Sequence, residues 1–372
     1  MRILQTIHSY KPYLNHFEKK YDINAEEITF TDLRQLLLQD RFYASHILEP
    51  ILQNSHDGFF TMWDYPLLQH KWAESKGWAE RNVKKILAAQ IEEFKPDTFY
   101  NCSPLFFSKK EIESIVPQST RNVCWFAAPT NQQIDFSVYE SRLTNYPPDV
   151  RANSEFRSDY FSPAHDPVAD DFAHKTERDI DILFYGQYMH GHFNNRNALV
   201  EKLVEFKMTS QLKIEICLQY NKEYKYLYPY GRPAFLKRIS PRKQTFPPSE
   251  ITNNSTLPLY GLDLYEKISG SKIIFNAAVD FSGQYKVNMR NFEATGLGAL
   301  LLSDKGMYPA GFEHGKTMAT YSDFDEFVSL SQYYLENESE RACIAQNGND
   351  MVKRNYSKNK QWEDFKTIVS SL

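Results

Sequence analysis

The chain has 372 residues, of which 42% are hydrophobic and 24% are charged, and its formal net charge is −4. This length is too great for one small core and predicts two domains. The weakly acidic balance argues against general nucleic-acid binding, and no apolar run approaches the ~18 residues of a membrane-spanning helix. Four widely separated cysteines without zinc-binding spacing indicate reduced thiols in a cytoplasmic protein.

The first half of the chain alternates predicted strands and helices. An apolar run at residues 2–8 predicts a first strand and lacks the features of a signal peptide. Residues 80–94 have apolar side chains at helical spacing, and a strand pattern follows at 98–102. Further strands are predicted at 122–127 and 142–145. This alternation predicts a parallel sheet covered by helices.

The second half repeats the pattern after a break. Residues 162–177 show no periodicity and predict a linker. Predicted strands follow at 181–185, 214–218, 272–277, 299–302 and 317–321, and predicted helices at 324–335, 338–356 and 358–371. The carboxyl ends of the two parallel sheets are therefore the expected ligand sites.

Glycine placement indicates which half binds a phosphate. Twelve of the fourteen glycines lie at or after Gly186. Close approach of the backbone to a phosphate generally needs glycine, and the first half contains neither a P-loop nor a G-x-G-x-x-G sequence. A nucleotide is therefore expected in the second half.

Residues 288–304 are the most informative segment of the chain. A polar loop leads into a short helix with Arg290 and Glu293 at i,i+3 spacing, and glycines then precede an apolar strand. The helix N-terminus favours phosphate, while the carboxylate can accept hydrogen bonds from both ribose hydroxyls. A surface helix with an ion pair is the alternative interpretation.

Several blocks of the second half resemble the GT-B nucleotide-sugar glycosyltransferases, in particular the spore-maturation CgeB-like group. The matching blocks, which together span roughly residues 180–370 in consistent order, are 181–186 followed by Arg196, 259–265, 271–276, 290–299 and 333–348. Weaker similarities occur at 95–97, 123–126 and 163–165.

This resemblance implies an α/β protein of the GT-B fold, with two Rossmann-like domains whose parallel sheets face each other across a cleft. Residues 1–165 would bind the acceptor, with the C-terminal helix 358–372 packing back on them, and residues 178–357 would bind the donor. The implied donor is a nucleotide sugar, with a UDP-sugar favoured, and the implied acceptor is a glycan or surface polymer.

No metal or other cofactor is predicted, because basic side chains and a helix N-terminus can stabilise the leaving diphosphate. Two Asp-x-Asp sequences, at 179–181 and 323–325, lie at a strand start and at a helix start, where a structural role explains them. The predicted donor-binding residues are Gly186, Arg196, Lys272, Asn288, Arg290, Glu293 and His165.

The predicted catalytic residues are Arg290, which would meet the charge on the departing diphosphate, together with His8 and Asp64. His8 ends the first strand and Asp64 lies in an aromatic segment suited to an acceptor, so either can supply a base. The neighbouring His56–Asp57 sequence is a further candidate. A structural role for each of these residues stays an alternative.

One departure from the related enzymes leaves the stereochemistry open. Retaining GT-B enzymes often carry two glutamates separated by seven residues, and Tyr285 occupies the position of the first one here. The missing first glutamate favours an inactive nucleotide-sugar-binding protein as one alternative function. A GT-B-like epimerase and a polyol-phosphate transferase are two further alternatives.

The segment Lys225–Lys243 is basic and tyrosine-rich. It has two interpretations: a solvated insertion, or a clamp for an anionic acceptor or a membrane-linked phosphate. The second interpretation would add peripheral contact with the inner face of the membrane to the predicted cytoplasmic location.

Overall fold

The computed structural model describes residues 1–127, 135–148, 157–175, 177–189, 193–220, 223–226 and 243–372, which form two compact units. The first unit comprises Met1–Asp170, Tyr260–Leu262 and Met351–Leu372, and the second comprises Asp171–Leu259 and Asp263–Asp350. Within these ranges no helix has the length and apolar character needed to cross a bilayer. The acceptor and donor roles assigned to segments 1–165 and 178–357 stay predictions.

The first unit is built on a six-stranded parallel sheet with the order β2-β1-β3-β4-β5-β6. Its strands are β1 (Ile3–Ile7), β2 (Gly58–Met62), β3 (Thr98–Asn101), β4 (Arg121–Trp125), β5 (Ser141–Thr144) and β6 (Ser158–Tyr160). The strand order reverses between β1 and β3. At such a switch point, the carboxyl ends of the strands leave a crevice for a ligand.

Helices cover this sheet and complete its core. They are Lys11–Lys20, Phe30–Gln39, Glu49–Leu52, Pro66–Ser75, Val83–Phe94, Lys109–Ile115 and Lys358–Ser370, with 3₁₀ turns at Pro104–Phe106 and Pro167–Ala169. The helix predicted from residue 80 begins at Val83, because the Asn82 side chain caps its first N–H groups. The last helix buries Phe365 and Val369 in the main apolar cluster of the unit.

The second unit has a five-stranded parallel sheet and a separate two-stranded antiparallel hairpin. The strands are β7 (Ile180–Tyr188), β8 (Ile214–Tyr220), the hairpin β9 (Glu223–Tyr226) and β10 (Lys243–Phe246), then β11 (Ser271–Asn276), β12 (Leu300–Asp304) and β13 (Ala319–Tyr321). The sheet order is β13-β12-β11-β7-β8, so the reversal lies between β7 and β11. Residues 227–242 lie outside the described chain, and the interpretations of Lys225–Lys243 stay predictions.

The helices of this part of the chain are Asp170–Ala173, Asn194–Thr209, Ser249–Asn254, Gly261–Ser269, Met289–Gly296, Phe324–Glu336 and Glu338–Asn355, with a 3₁₀ turn at Asp280–Ser282. The core lies between sheet and helices, where Phe184, Phe275 and Phe327 are fully buried. The two parallel sheets with covering helices confirm the predicted α/β class and the two Rossmann-like units.

Candidate functional site

The Arg290 side chain lies at the carboxyl ends of β7 and β11, at the switch point of the second sheet. Its Nη1 donates to the side-chain oxygen of Asn276, the last residue of β11, at 2.5 Å. Its guanidinium lies over the rings of Phe184 and Tyr185, at 5.3 and 4.9 Å from their centroids. Gly186 provides the space, because a Cβ there would lie 2.6 Å from Arg290 Nη2.

The side-chain hydrogen bond of this arginine goes to a neutral amide, and the carboxylate of Glu293 acts on it only through space. The side chain is buried, and its Nε has no hydrogen-bond partner among the described residues. Arg290 and Glu293 do not pair with each other, so the alternative of a surface helix with an ion pair is wrong: the arginine is inside. A buried cation without a carboxylate partner favours an incoming anion.

Asn288 bonds to the same acceptor as Arg290, and these residues together with Asn276 form the Arg290 cluster. Its side-chain nitrogen donates to the Asn276 oxygen at 3.2 Å, while its own oxygen is buried without a partner in the described chain. Because the Asn288 side chain turns towards Asn276, no side chain caps the helix Met289–Gly296. The N-terminus of that helix is therefore open to a ligand.

Arg196 adds a second positive charge near Arg290. Its Nε donates to the backbone oxygen of Ala277, just after β11, at 2.9 Å. Burial, together with the positive charge of Arg290, lowers the pKa of Arg196 to about 9. The N-terminus of its own helix is occupied, since the Asp280 carboxylate accepts from the N–H groups of Asn195 and Arg196. The carboxylates of Asp304 and Asp280 oppose this shift of the Arg196 pKa, and the two arginines place positive charge at this edge of the sheet, as a diphosphate site requires.

Glu293 lies one turn further along the same helix and is half-buried. Its Oε2 accepts a hydrogen bond of 2.9 Å from the Tyr185 hydroxyl. Burial raises the pKa of this carboxyl above its ordinary value, opposed by the Tyr185 bond and by the charge of Arg290. The second oxygen can accept from a ribose hydroxyl, which is the role predicted for this residue.

Lys272 does not join this cluster. It lies at the amino end of β11, whereas Asn276 lies at the carboxyl end, and its Nζ pairs with Asp181 at 2.7 Å. The predicted role of Lys272 at the donor site is therefore corrected, because the strand holds its side chain at the opposite edge of the sheet from Arg290.

The two Asp-x-Asp sequences have local partners. Asp179 pairs with Lys213 and Asp181 with Lys272. Asp323 caps the helix Phe324–Glu336 by accepting from the Glu326 N–H at 2.9 Å. The described ranges contain no group of three His, Cys, Asp or Glu side chains placed to hold a metal ion.

In the first unit, His8 and Asp64 form a pair. His8 follows β1 and Asp64 follows β2, its neighbour in the sheet, and His8 Nδ1 lies 2.5 Å from Asp64 Oδ2. The other carboxylate oxygen accepts from the Ser9 N–H at 2.6 Å. The His8 ring stacks on Phe106 at 4.0 Å and keeps 40% of its side chain exposed. A carboxylate on Nδ1 leaves Nε2 available as a base.

His165 is engaged within the first unit. Its buried ring places Nε2 2.8 Å from Asp170 Oδ1, and Asp170 also pairs with Lys353. Burial lowers the pKa of His165, while Asp170 opposes the shift. Through Asp170, the loop that contains His165 is connected to Lys353 of the helix Glu338–Asn355, which is a structural role. The donor-binding role of His165 stays a prediction.

Sequence reasoning did not identify Asn276 and Tyr185 as site residues. Asn276 donates to Asn291 and Ser303 and accepts from Asn288 and Arg290, so it organises the cluster. A polar residue at the carboxyl end of an apolar strand was the available signal. Tyr185 had no such signal, because its role depends on the part of β7 that extends past its pairing with β11.

Comparison with protein-family models gives a match over part of the chain. Residues 242–367 match a family model described as "Glycosyl transferase-like". The matched segment includes β11, the helix Met289–Gly296 and the residues Asn288, Arg290 and Glu293. A comparison with curated proteins finds no match.

Solved structures share the fold over the full length of this chain. Anabaena HepE in complex with UDP is 10% identical with a TM-score of 0.56, covering 100% of both chains. A Rickettsia africae glycosyltransferase is 11% identical, with a TM-score of 0.56. The Thermosynechococcus elongatus sucrose-phosphate synthase is 12% identical, with a TM-score of 0.54. Each of these two alignments covers 100% of this chain and 98% of the other chain. These structures confirm the predicted GT-B fold. The sequence similarity to the glycosyl transferase-like family covers residues 242–367 and does not distinguish the CgeB-like group.

Proposed function

We propose that this protein transfers a sugar from a nucleotide-diphosphate donor, with a UDP-sugar favoured, to a glycan or surface-polymer acceptor without a metal ion. The observation that carries the proposal is the position of Arg290. Its charge lies at the switch point of a parallel sheet, next to a helix N-terminus without a side-chain cap, and its hydrogen-bond acceptor is a neutral amide. A nucleoside diphosphate supplies the missing negative charge.

The donor half of the reaction follows from this cluster. Arg290 and the N-terminal N–H groups of Met289–Gly296 would hold the diphosphate, and Arg196 would add long-range attraction. Negative charge on the diphosphate grows as the sugar leaves, so a fixed guanidinium stabilises the transition state more than the ground state. Glu293 would accept hydrogen bonds from the ribose hydroxyls. The HepE structures bound to UDP and to UDP-glucose support a UDP-sugar as the donor.

The acceptor half is assigned to the His8–Asp64 pair. Removal of a proton from the acceptor hydroxyl needs a base near neutral pH, and the exposed imidazole can provide it. Asp64 would orient the ring and stabilise the imidazolium that forms. The exposed Phe106, stacked on His8, would offer an apolar face to a sugar ring. Whether the anomeric configuration is retained or inverted is left open by this assignment.

The first experiment is a thermal-shift screen of nucleoside diphosphates. A ligand present at 100 times its dissociation constant adds about 2.7 kcal/mol to stability, so the preferred base will be evident. The matching UDP-sugar or other nucleotide sugar is then incubated with a panel of glycans, and the products are identified by mass spectrometry. Transfer of the sugar supports the proposal.

Other products of the same assay identify the alternatives. An isomerised donor without transfer indicates an epimerase, and a transferred polyol phosphate indicates a polyol-phosphate transferase. Nucleotide binding without any turnover across the panel indicates an inactive binding protein. Each of these results contradicts the proposed sugar transfer.

A further inference from the structure

A cavity lies at the edge of the second unit's sheet opposite to Arg290. Its volume is about 270 Å³. It is bounded by residues near the amino ends of three strands, namely Arg178 before β7, Lys272 in β11 and Gly298 before β12. It is therefore separate from the Arg290 cluster, which lies at the carboxyl ends of the same strands.

Basic side chains dominate this cavity. Arg341 and Asn349, both from the helix Glu338–Asn355, are buried and line it together with Arg178. His174, Lys175 and Gln346 line it from exposed positions. The cavity thus combines a polar, largely buried floor with a hydrophilic rim, which suits a charged ligand.

The charges in the cavity are only partly balanced. Lys175 pairs with Glu266, and Lys272 pairs with Asp181. Arg341 pairs at 2.9 Å with Glu338, whose side chain is 77% exposed, so water screens this interaction. Arg178 has no carboxylate partner in the described chain and donates only to the backbone oxygens of Ala173, Ser271 and Leu297.

The two arginines repel each other. Burial, with a further contribution from the charge of Arg341, lowers the pKa of Arg178 to about 10. A dianion bound between the two guanidiniums would remove this repulsion, and planar guanidinium groups match the oxygens of phosphate.

The size of the cavity limits the ligand. It is far larger than the roughly 30 Å³ that one water needs and slightly below the ~300 Å³ at which pockets for drug-sized molecules begin. We propose that this cavity binds a dianionic phosphoryl group, carried by a small phosphate ester or present as free phosphate. The site is independent of the proposed sugar transfer.

Some of the same side chains also support the fold, and the test must allow for this. Arg178 donates to Leu297 O, and Asn349 donates to Thr295 O and Gly296 O, so both cap the end of the helix Met289–Gly296. Substitution of either residue would disturb that helix. Arg341 donates to Tyr334 O in the last turn of the helix Phe324–Glu336, so its substitution can also disturb a helix end. Gln346 is exposed and makes none of these contacts, so Gln346 is the better target.

The test is calorimetric titration with glycerol 3-phosphate and, separately, with inorganic phosphate. The Arg290→Ala protein is used throughout, so that anion binding at the Arg290 cluster contributes as little as possible to the measured heat. Arg341→Gln removes a buried guanidinium, and Gln346→Glu places a negative charge at the exposed rim. Gln332→Glu, on an exposed position of another helix, is the matched control.

We expect glycerol 3-phosphate to bind the Arg290→Ala protein and its Gln332→Glu control equally. Binding should weaken about tenfold with Arg341→Gln and about fivefold with Gln346→Glu. Tighter binding of the ester than of inorganic phosphate identifies an ester as the ligand, and the reverse identifies free phosphate. The proposal is overturned if neither anion binds the Arg290→Ala protein, or if Gln346→Glu binds as tightly as its control.

Discussion

The Tyr185 hydroxyl donates to Glu293 over 2.9 Å and thereby joins the end of β7 to the helix that carries Arg290. The bond engages one carboxylate oxygen and leaves the other for a ligand. Burial raises the pKa of Glu293 and so disfavours its charged form, and hydrogen bonds from two ligand hydroxyls would favour that form.

Glu293→Gln should weaken UDP binding about tenfold or more, because each hydrogen bond from a ribose hydroxyl to the carboxylate contributes about 1.5–3 kcal/mol and the amide loses part of this. The Tyr185 bond can persist, so the melting temperature should change little. Calorimetric titration with UDP measures the effect, with the surface variant Glu313→Gln as control. Unchanged affinity in folded Glu293→Gln would mean that the nucleotide binds elsewhere.

Arg290→Ala should lower kcat about 100-fold or more, because it removes a donor that meets charge developed in the transition state. Affinity for UDP should fall less than turnover. Arg290→Lys should recover little, since a lysine cannot reproduce the fork that bonds to Asn276 and lies over Tyr185. Steady-state kinetics of the two Arg290 variants, measured in parallel with the Lys316→Ala control, give the changes in kcat. An equal loss in kcat for that control would contradict a specific role.

His8→Ala and Asp64→Asn should each lower kcat by about 10²–10⁴-fold. The two residues act through one imidazole, so the double variant should be little slower than the slower single variant. His56→Ala tests the other histidine–aspartate candidate and should lower kcat far less, because His56 lies 3.3 Å from Asp57 but is 91% exposed. Additive losses from the two substitutions would show that the pair does not act as a unit.

Activity should survive chelation, because guanidinium groups and a helix N-terminus are predicted to replace a metal at the leaving diphosphate. The measurement is turnover in EDTA compared with turnover after a divalent ion is added back. Loss of activity that magnesium or manganese restores would show this interpretation of the leaving group to be wrong.

Lys358→Met should change how stability depends on pH. Lys358 is buried at the start of the last helix, where its Nζ donates to Ile47 O at 2.9 Å, and burial lowers its pKa to about 7. The unfolded chain therefore binds more protons than the folded one between about pH 7 and 10, so wild-type stability should rise by up to ~1.4 kcal/mol per pH unit there. Urea unfolding from pH 6 to 9 should show this slope, and Lys358→Met should lack it. Parallel curves for the two proteins would rule out a buried, neutral lysine.

Much of the sheet structure could be predicted, because buried parallel strands give short apolar runs in the sequence. The run that became β11 was predicted within one residue of its bounds. The same prediction could have excluded Lys272 from the donor site, since that residue begins the strand and ligands lie at the other end.

The His8–Asp64 pair could not be predicted as a pair. Both residues were recognisable as candidates, but residues 9–63, which separate them, carry no signal that β2 lies beside β1. The contact depends on strand order, which is a property of the tertiary fold. Gly186 illustrates the same limit, because the approach of Arg290 that leaves no room for a side chain there is visible only in the tertiary fold.

The neutral hydrogen-bond partner of Arg290 has a practical consequence for assays of this protein. A guanidinium that bonds to no carboxylate will attract whichever small anion the buffer contains. Sulfate and phosphate should therefore compete with the donor, so that dissociation constants measured in such buffers will be too large. Exchange into a buffer with a bulky, weakly binding anion should precede any measurement, and ionic strength should be held constant across variants.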